Sequence, residues 1–347
     1  MNNDMKRLLT ALVLIMLAVH GLWAQERVII LTDVENEPDD NESLVRLMLY
    51  TNEIDVRGIV ATNSTHMRDR IAPETIFQVI DAYEQVRPNL LLHAKGYPEA
   101  DYLRSVVKRG TTAYGMTGVG KGQESEGSRW IIQELERKDE RPLWVCAWGG
   151  VNVLAQALYD LKATKSAQEL ERLLAKLRVY TISDQDDTGI WIRRNFPTLF
   201  YIVSPGGYGN GTWTGIMEVA AGADNKRISN AWLAEHIQQD HGPLGACYPD
   251  VAYGMEGDTP SWLNLIPNGL NAPEHPNWGG WGGRYEFYQP RREDCDPNGF
   301  TGGVPIEEEP RAIWTNAIDH YRPFLPKSHG CAVVRDTAEY VGYTTTV

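Results

Sequence analysis

The sequence has no surplus of positive charge. Its 46 Asp and Glu outnumber 33 Lys and Arg for a net charge of −13, and no stretch clusters basic residues. Neutralising phosphates needs such clusters, so nucleic acid is not an expected partner. Cysteine is scarce. The four residues Cys146, Cys247, Cys295 and Cys331 include no CxxC pair, which argues against a zinc site. Cys146 lies in an apolar, strand-like run and reads as a buried thiol. Whether Cys295 and Cys331 pair in an oxidising compartment stays open at this level. After the first two dozen residues no apolar run approaches the roughly 20 residues of a membrane span. No internal repeat and no linker-like stretch interrupts the chain, so one main domain is expected.

The N-terminus has a different character. Lys6 and Arg7 precede an almost unbroken apolar run from Leu8 to Val19, and Gly21-Leu-Trp-Ala24 leads into Gln25-Glu-Arg. A charged start, a short apolar run and a small residue before a polar one describe a secretory signal peptide. The expectation is a leader over 1–24, an exported domain over 25–322 in the periplasm or outside the cell, and a short tail over 323–347. No membrane association is expected once the leader is removed.

Between residues 27 and 203, apolar runs alternate with helical periods. Arg27–Thr32, Val56–Ala61, Leu90–His93, Pro142–Ala147, Leu177–Ile182 and Leu199–Val203 read as buried strands, being short and continuously apolar. Helices are expected over Asn41–Tyr50, Pro73–Gln85, Trp130–Arg137, Val151–Leu161 and Ala167–Lys176, where apolar residues recur on one face. Repeated strand–helix units specify an α/β fold: a mostly parallel central sheet with helices on both faces. Beyond about residue 205 the pattern loosens into loops rich in Gly, Pro and Trp.

In such sheets ligands bind outside the carboxyl ends of the strands. Directly after the first strand comes Asp33-Val-Glu35-Asn-Glu37-Pro-Asp39-Asp40, five carboxylates within eight residues. They repel one another unless solvated or bound to a cation, and calcium, with its six to eight oxygen ligands, suits the crowd. Asp39 and Asp40 also suit the start of the following helix, whose dipole favours acids.

The spacing Asp33, Glu35, Asp39, Asp40 resembles the Asp-x-Asp-x-x-x-Asp-Asp signature of the nucleoside hydrolases, with Glu35 standing where that family has its second Asp. Trp148-Gly-Gly-Val-Asn152 and Glu256-Gly-Asp258-Thr-Pro follow in the family's order. Together with Asn63-Ser-Thr-His66, Ser183-Asp-Gln-Asp-Asp187 and Gly257-Asp-Thr-Pro-Ser-Trp262, they are similar to an exported bacterial branch linked to cellulose and plant-polysaccharide degradation. The resemblance implies a Ca²⁺ ion held by Glu35, Asp40, Asp258 and the Trp148 carbonyl. Glu35 would double as the base that activates water, with Asp39 on a sugar hydroxyl and Asp33 supporting the loop behind the ion. It also makes a homo-oligomer an expectation.

Asp184 and Asp187 are further candidates for sugar hydroxyls, and Trp278 and Trp281, with Trp191 and Trp213, for stacking on sugar rings. Nucleoside hydrolases often carry a His beside the last calcium ligand to protonate the leaving base; here that neighbour is Gly257. Two readings therefore stand. One is a calcium-dependent hydrolase of an N- or O-glycosyl bond. The other is a carbohydrate-binding protein on the same fold whose hydrolytic centre has drifted. Their ligands would be a nucleoside, a small sugar or a polysaccharide fragment.

Overall fold

The computed structural model describes residues 25–204, 226, 229–291 and 308–315. The expected leader and tail, Trp213, Cys295 and Cys331 lie outside the described residues. The chain begins with β1 (Arg27–Thr32), α1 (Pro38–Leu49), β2 (Asp55–Ala61), α2 (Pro73–His93), α3 (Ala100–Val106) and β3 (Val107–Arg109). It continues through α4 (Glu126–Glu136), β4 (Leu143–Ala147), α5 (Asn152–Thr164), α6 (Ala167–Lys176) and β5 (Leu177–Thr181). Then come α7 (Thr188–Asn195), β6 (Phe200–Val203), α8 (Asn230–Leu233), α9 (Gly242–Ala246), α10 (Thr259–Leu263), β7 (Glu286–Tyr288) and β8 (Ile313–Thr315).

The eight strands form one sheet in the order β3-β2-β1-β4-β5-β6-β8-β7. Every pairing is parallel except that of β7 with β8. Both faces are covered, which explains why the central strands are apolar at every position rather than at alternate ones. In β1, Val28 and Ile30 enter one core while Ile29 and Leu31 enter the other. In β4, Trp144 and Cys146 join the first core, and Leu143, Val145 and Ala147 the second. Helices α1 and α2 pack on the first face; α4, α5 and α6 pack on the second. Two of these, α4 and α6, start with capping boxes built on Ser125 and Ser166.

The expected strand at Leu90–His93 is instead the last turn of α2, which runs unbroken through Pro88. Its three leucines are strong helix formers; Leu90 packs against the first core, while Leu91 is exposed and Leu92 is 82% exposed. The third strand is β3, three residues carrying Lys108 and Arg109 at the sheet edge. Charged edge strands resist further pairing but leave almost no hydrophobic signal. Helix α4 begins four residues earlier than Trp130, at its Ser125 cap.

Behind β6, a buried guanidinium ties the far part of the chain to the sheet. Arg193 reaches Asp184 at 2.9 and 2.6 Å and Glu309 at 2.8 Å, with all three side chains nearly inaccessible. Removing the cation leaves two acids buried face to face. Arg193→Met is expected to cost about 3–5 kcal/mol of folding stability, read as a lowered midpoint in urea denaturation.

Candidate metal and ligand site

The sheet order reverses at β1 and β4: from β1 the chain builds outward to β2 and β3, then crosses to β4 on the other side. Loops leaving these two adjacent strands diverge and open a crevice, the usual ligand position of open α/β sheets. The acidic elbow leaves β1 here, and Trp148-Gly-Gly leaves β4.

The elbow is fixed by its own hydrogen bonds. Thr32 donates its hydroxyl to Asp40 and receives the Val34 amide at 3.1 Å, and Asn36 N–H returns to the Asp33 carbonyl at 3.0 Å. Glu35 occupies a left-handed backbone conformation, φ 78°, a strained choice for a residue with a side chain. Pro38 opens α1, and Asp39 and Asp40 occupy its first turn, where the helix dipole favours negative charge. The Gly pair is required after β4, since a Cβ at Gly149 would lie 2.4 Å from Asp33 Oδ1.

Asp258 arrives from far along the chain, at the start of α10. Its neighbour Glu256 is buried against α1, bonded to Arg46 and to Tyr248 (2.7 Å), while Glu42 accepts the Glu256 amide at 2.6 Å. Ser261 accepts the Trp148 indole N–H at 2.9 Å and donates to the Asp258 carbonyl at 2.8 Å. The last segment is thereby pinned to both α1 and β4.

The result is a carboxylate cluster. One oxygen each of Asp39, Asp40 and Asp258 lies within 4.8 Å of the others. Asp40 and Asp258 are buried and Asp39 half-buried. Burial raises all three above the ordinary carboxylate range. The surrounding charges of Asp33, Asp39, Asp40 and Glu37 push in the same direction. Buried Asp33 is raised to about 6 by desolvation, against an opposing hydrogen bond from Ser64. Asp258 Oδ2 and Asp33 Oδ2 are buried without a hydrogen-bond partner among the described residues. Hard oxygen donors lacking protein partners are the donor set of a hard divalent cation, so these residues fit one.

A cavity of about 700 Å³ opens over the cluster, lined in part by Glu37, Asp39, His66, Gln185, Tyr253 and Asp258. Three of the sequence phrases form a buried hydrogen-bonded layer that does not line this cavity. Asn152 donates to Asn63 (3.0 Å) and to the Ala113 carbonyl (2.9 Å), and its own amide bonds Asp186 at 3.0 Å. Asp186 also receives the Thr188 amide at 2.9 Å. These residues hold the β2, β4 and β5 loops together rather than facing ligand.

Several expected site residues lie elsewhere. The Glu35 carboxylate turns away from the cluster to Arg70 (2.5 Å) and to Thr75, outside the carboxylate group. The Thr75 hydroxyl is the main reason its acid is held below the usual range. The left-handed backbone at Glu35 accompanies this outward turn. The Trp148 carbonyl accepts the Gln185 side-chain amide at 2.5 Å. Asp184 belongs to the Arg193 ion pair, and Asp187 receives the Met116 amide at 2.8 Å. Trp278 is exposed and stacked on His275, while Trp281 packs against the core; neither lines this cavity. Trp191 packs edge-on against Phe196 in the second core.

The fold brings Asp39, Asp40 and Asp258 together, with Asp33 close enough for its charge to act on each. Glu37, His66, Gln185 and Tyr253 were not singled out. The first three sit inside the quoted motifs and carried a signal of position; Tyr253 carried none. Gly257 also has a physical reason: a Cβ there would lie 2.4 Å from Asp39 Oδ2.

No curated protein matches the chain. Among solved structures, a nucleoside hydrolase-related hypothetical protein from Saccharophagus degradans, associated with carbohydrate metabolism, is similar at 31% identity and TM-score 0.72. The match covers 93% of this chain and 72% of that one. The type III effector XopQ, solved with adenosine diphosphate ribose, matches at 15% identity and TM-score 0.35, over 74% of this chain and 85% of that one. Residues 27–285 match the family described as cellulose-binding Sde182, nucleoside hydrolase-like domain. The chain belongs to that family.

Proposed function

We propose that this protein is an exported, calcium-dependent hydrolase of a glycosyl bond in a carbohydrate ligand. The observation that carries the reading is the Asp39–Asp40–Asp258 cluster, with its unpartnered Asp258 oxygen, beneath an open cavity at the sheet's switch point. The family name and the carbohydrate association of the Saccharophagus relative point to a sugar or polysaccharide fragment. The leader-like sequence over 1–24 supports export.

Asp39, Asp40 and Asp258 would hold the ion, and Asp33 would support them from behind. Calcium supplies orientation of water and sugar hydroxyls and stabilises developing negative charge. The chain's own groups do the rest. Hydrolysis takes one proton from water as its oxygen bonds the anomeric carbon, and returns one to the departing oxygen or nitrogen. Glu37, half-buried on the cavity wall, is placed to accept the first proton, the role that the resemblance gives to Glu35. His66 lies on the same wall, held toward its neutral form by burial and by Arg68. It offers a hydrogen bond to the substrate rather than a positive charge.

The outward turn of Glu35 favours a second reading, a calcium-dependent carbohydrate binder without turnover. Assaying the mature chain on aryl glycosides, nucleosides and cello-oligosaccharides, with calcium and with chelator, separates the two. Calcium-dependent release is expected, falling about 100-fold or more in Asp258→Asn, the scale of a few kcal/mol. Release untouched by both chelator and Asp258→Asn defeats the hydrolase reading. Calcium-dependent quenching of Trp fluorescence by oligosaccharide, with no release, selects the binder.

The ion reading has its own checks. Because Asp39, Asp40 and Asp258 are raised in the folded state, the metal-free cluster retains protons that the ion must displace. Calcium affinity is expected to rise as pH climbs above the ordinary carboxylate range, with proton release measured by calorimetry in buffers of different ionisation enthalpy. The metal-free fold behaves oppositely. A raised acid stabilises fully below its unfolded value near 3.8 and loses that contribution as pH climbs through its folded value, about 6 for Asp33. Calcium should remove this decline in melting temperature. Glu35→Gln is expected to leave calcium affinity unchanged; a loss would return Glu35 to the ion.

A further inference from the structure

Gln185 enters the cavity on the loop after β5. Its backbone carbonyl receives the Thr65 amide at 2.6 Å, and its Nε2 donates to the Trp148 carbonyl at 2.5 Å. A carbonyl oxygen only accepts, so the amide nitrogen has to face Trp148. That fixes the other end of the amide. Gln185 Oε1 is directed away from Trp148, in a side chain that lines the same cavity wall as Asp39 and Asp258. The residue is only 8% exposed, and Oε1 is buried without a hydrogen-bond partner among the described residues. An oriented, desolvated acceptor of this kind is costly unless something occupies it.

We propose that Gln185 Oε1 is the neutral oxygen ligand of the cation held by Asp39, Asp40 and Asp258, in the role that the resemblance gives to the Trp148 carbonyl. The inference rests on the cation reading above and extends it to a residue outside the acidic elbow. Three carboxylates already crowd the site, and another would add repulsion; an amide oxygen adds a hard donor without charge. The Trp148 carbonyl, already engaged by the Gln185 amide, acts as the strut that aims it. Its own loop is held rigidly, since Trp148 N–H bonds the Leu31 carbonyl at 2.8 Å and its indole bonds Ser261.

Two variants of the full mature chain separate direct ligation from support. Calcium binding by calorimetry and terbium binding by Trp-sensitised luminescence are measured on the wild type, Gln185→Leu and Gln185→Glu, with thermal melting in chelator to confirm folding. The Leu variant loses the oxygen, and its calcium affinity is expected to fall about tenfold or more. The Glu variant keeps an oxygen and adds charge but loses the N–H to Trp148, so it should bind calcium more tightly than the Leu variant and gain more for trivalent terbium. Equal affinity in all three proteins overturns the proposal. So does a Glu variant as weak as Leu, because the amide would then matter only through its N–H to Trp148. A wild-type chain that binds neither ion removes the cation reading itself, an outcome distinct from failure of Gln185 alone.

Discussion

Asp33, Asp39, Asp40 and Asp258 are desolvated in one crevice, and their mutual repulsion is the constraint around which the rest of the site is built. Each is raised by burial, and neighbouring carboxylates raise three of them further: Glu37 and Asp33 act on Asp39, Asp33 and Asp39 on Asp40, and Asp39 and Asp40 on Asp258. Basic side chains near the elbow are directed to other acids: Arg70 pairs with Glu35, and Arg46 with Glu256. Compensation comes from dipoles and neutral donors, the Thr32 hydroxyl, Ser64 and the N-terminus of α1. Such groups soften the repulsion without cancelling it. The site therefore retains an appetite for protons or for a cation.

Holding these acids together demands a stiff frame, and the frame accounts for much of the local sequence. Glu256 is locked between Arg46, Tyr248 and Glu42, so the loop carrying Asp258 cannot retreat from Asp39 and Asp40. Gly149 admits Asp33 and Gly257 admits Asp39 at distances where any Cβ would collide. The layer of Asn63, Asn152 and Asp186 does the same for the loops beneath. This packing holds like charges within 4.8 Å of one another.

Most of the sheet could be read from the chain because central parallel strands bury both faces and so appear as continuous apolar runs, as in Val28–Leu31 and Trp144–Ala147. The errors fall where that logic stops. Leu91 and Leu92 are apolar without being buried, and Val107–Arg109 is a strand whose edge position calls for charge. At the site, the elbow's spacing and the family resemblance named four aspartates, of which Asp39, Asp40 and Asp258 form one carboxylate group. Side-chain direction was not legible. A left-handed φ at Glu35 turns its carboxylate out to Arg70 and Thr75. A hydrogen bond from a residue 37 positions away occupies the Trp148 carbonyl. Asp184 and Asp187 look like sugar ligands in a motif, yet their partners, Arg193 and the Met116 amide, are known only once the chain is folded.

The same packing bears on the kind of chemistry the crevice suits. The position beside Asp258, where nucleoside hydrolases often place a His, cannot carry a side chain here while Asp39 stays at 2.4 Å from its Cβ position. In the proposed hydrolysis, help for a leaving group would come from elsewhere on the wall, where His66, held toward the neutral form, is the imidazole among the described residues. A neutral donor is a weaker acid catalyst than an imidazolium but a good partner for hydroxyl groups. Tyr253 adds an aromatic face that is 78% exposed at the cavity mouth, the kind of surface on which sugar rings rest. With about 700 Å³ available, the volume is ample for more than a single sugar ring. In the proposed function, such walls would suit a polyol held by hydroxyl contacts better than a flat base gripped by a charged acid.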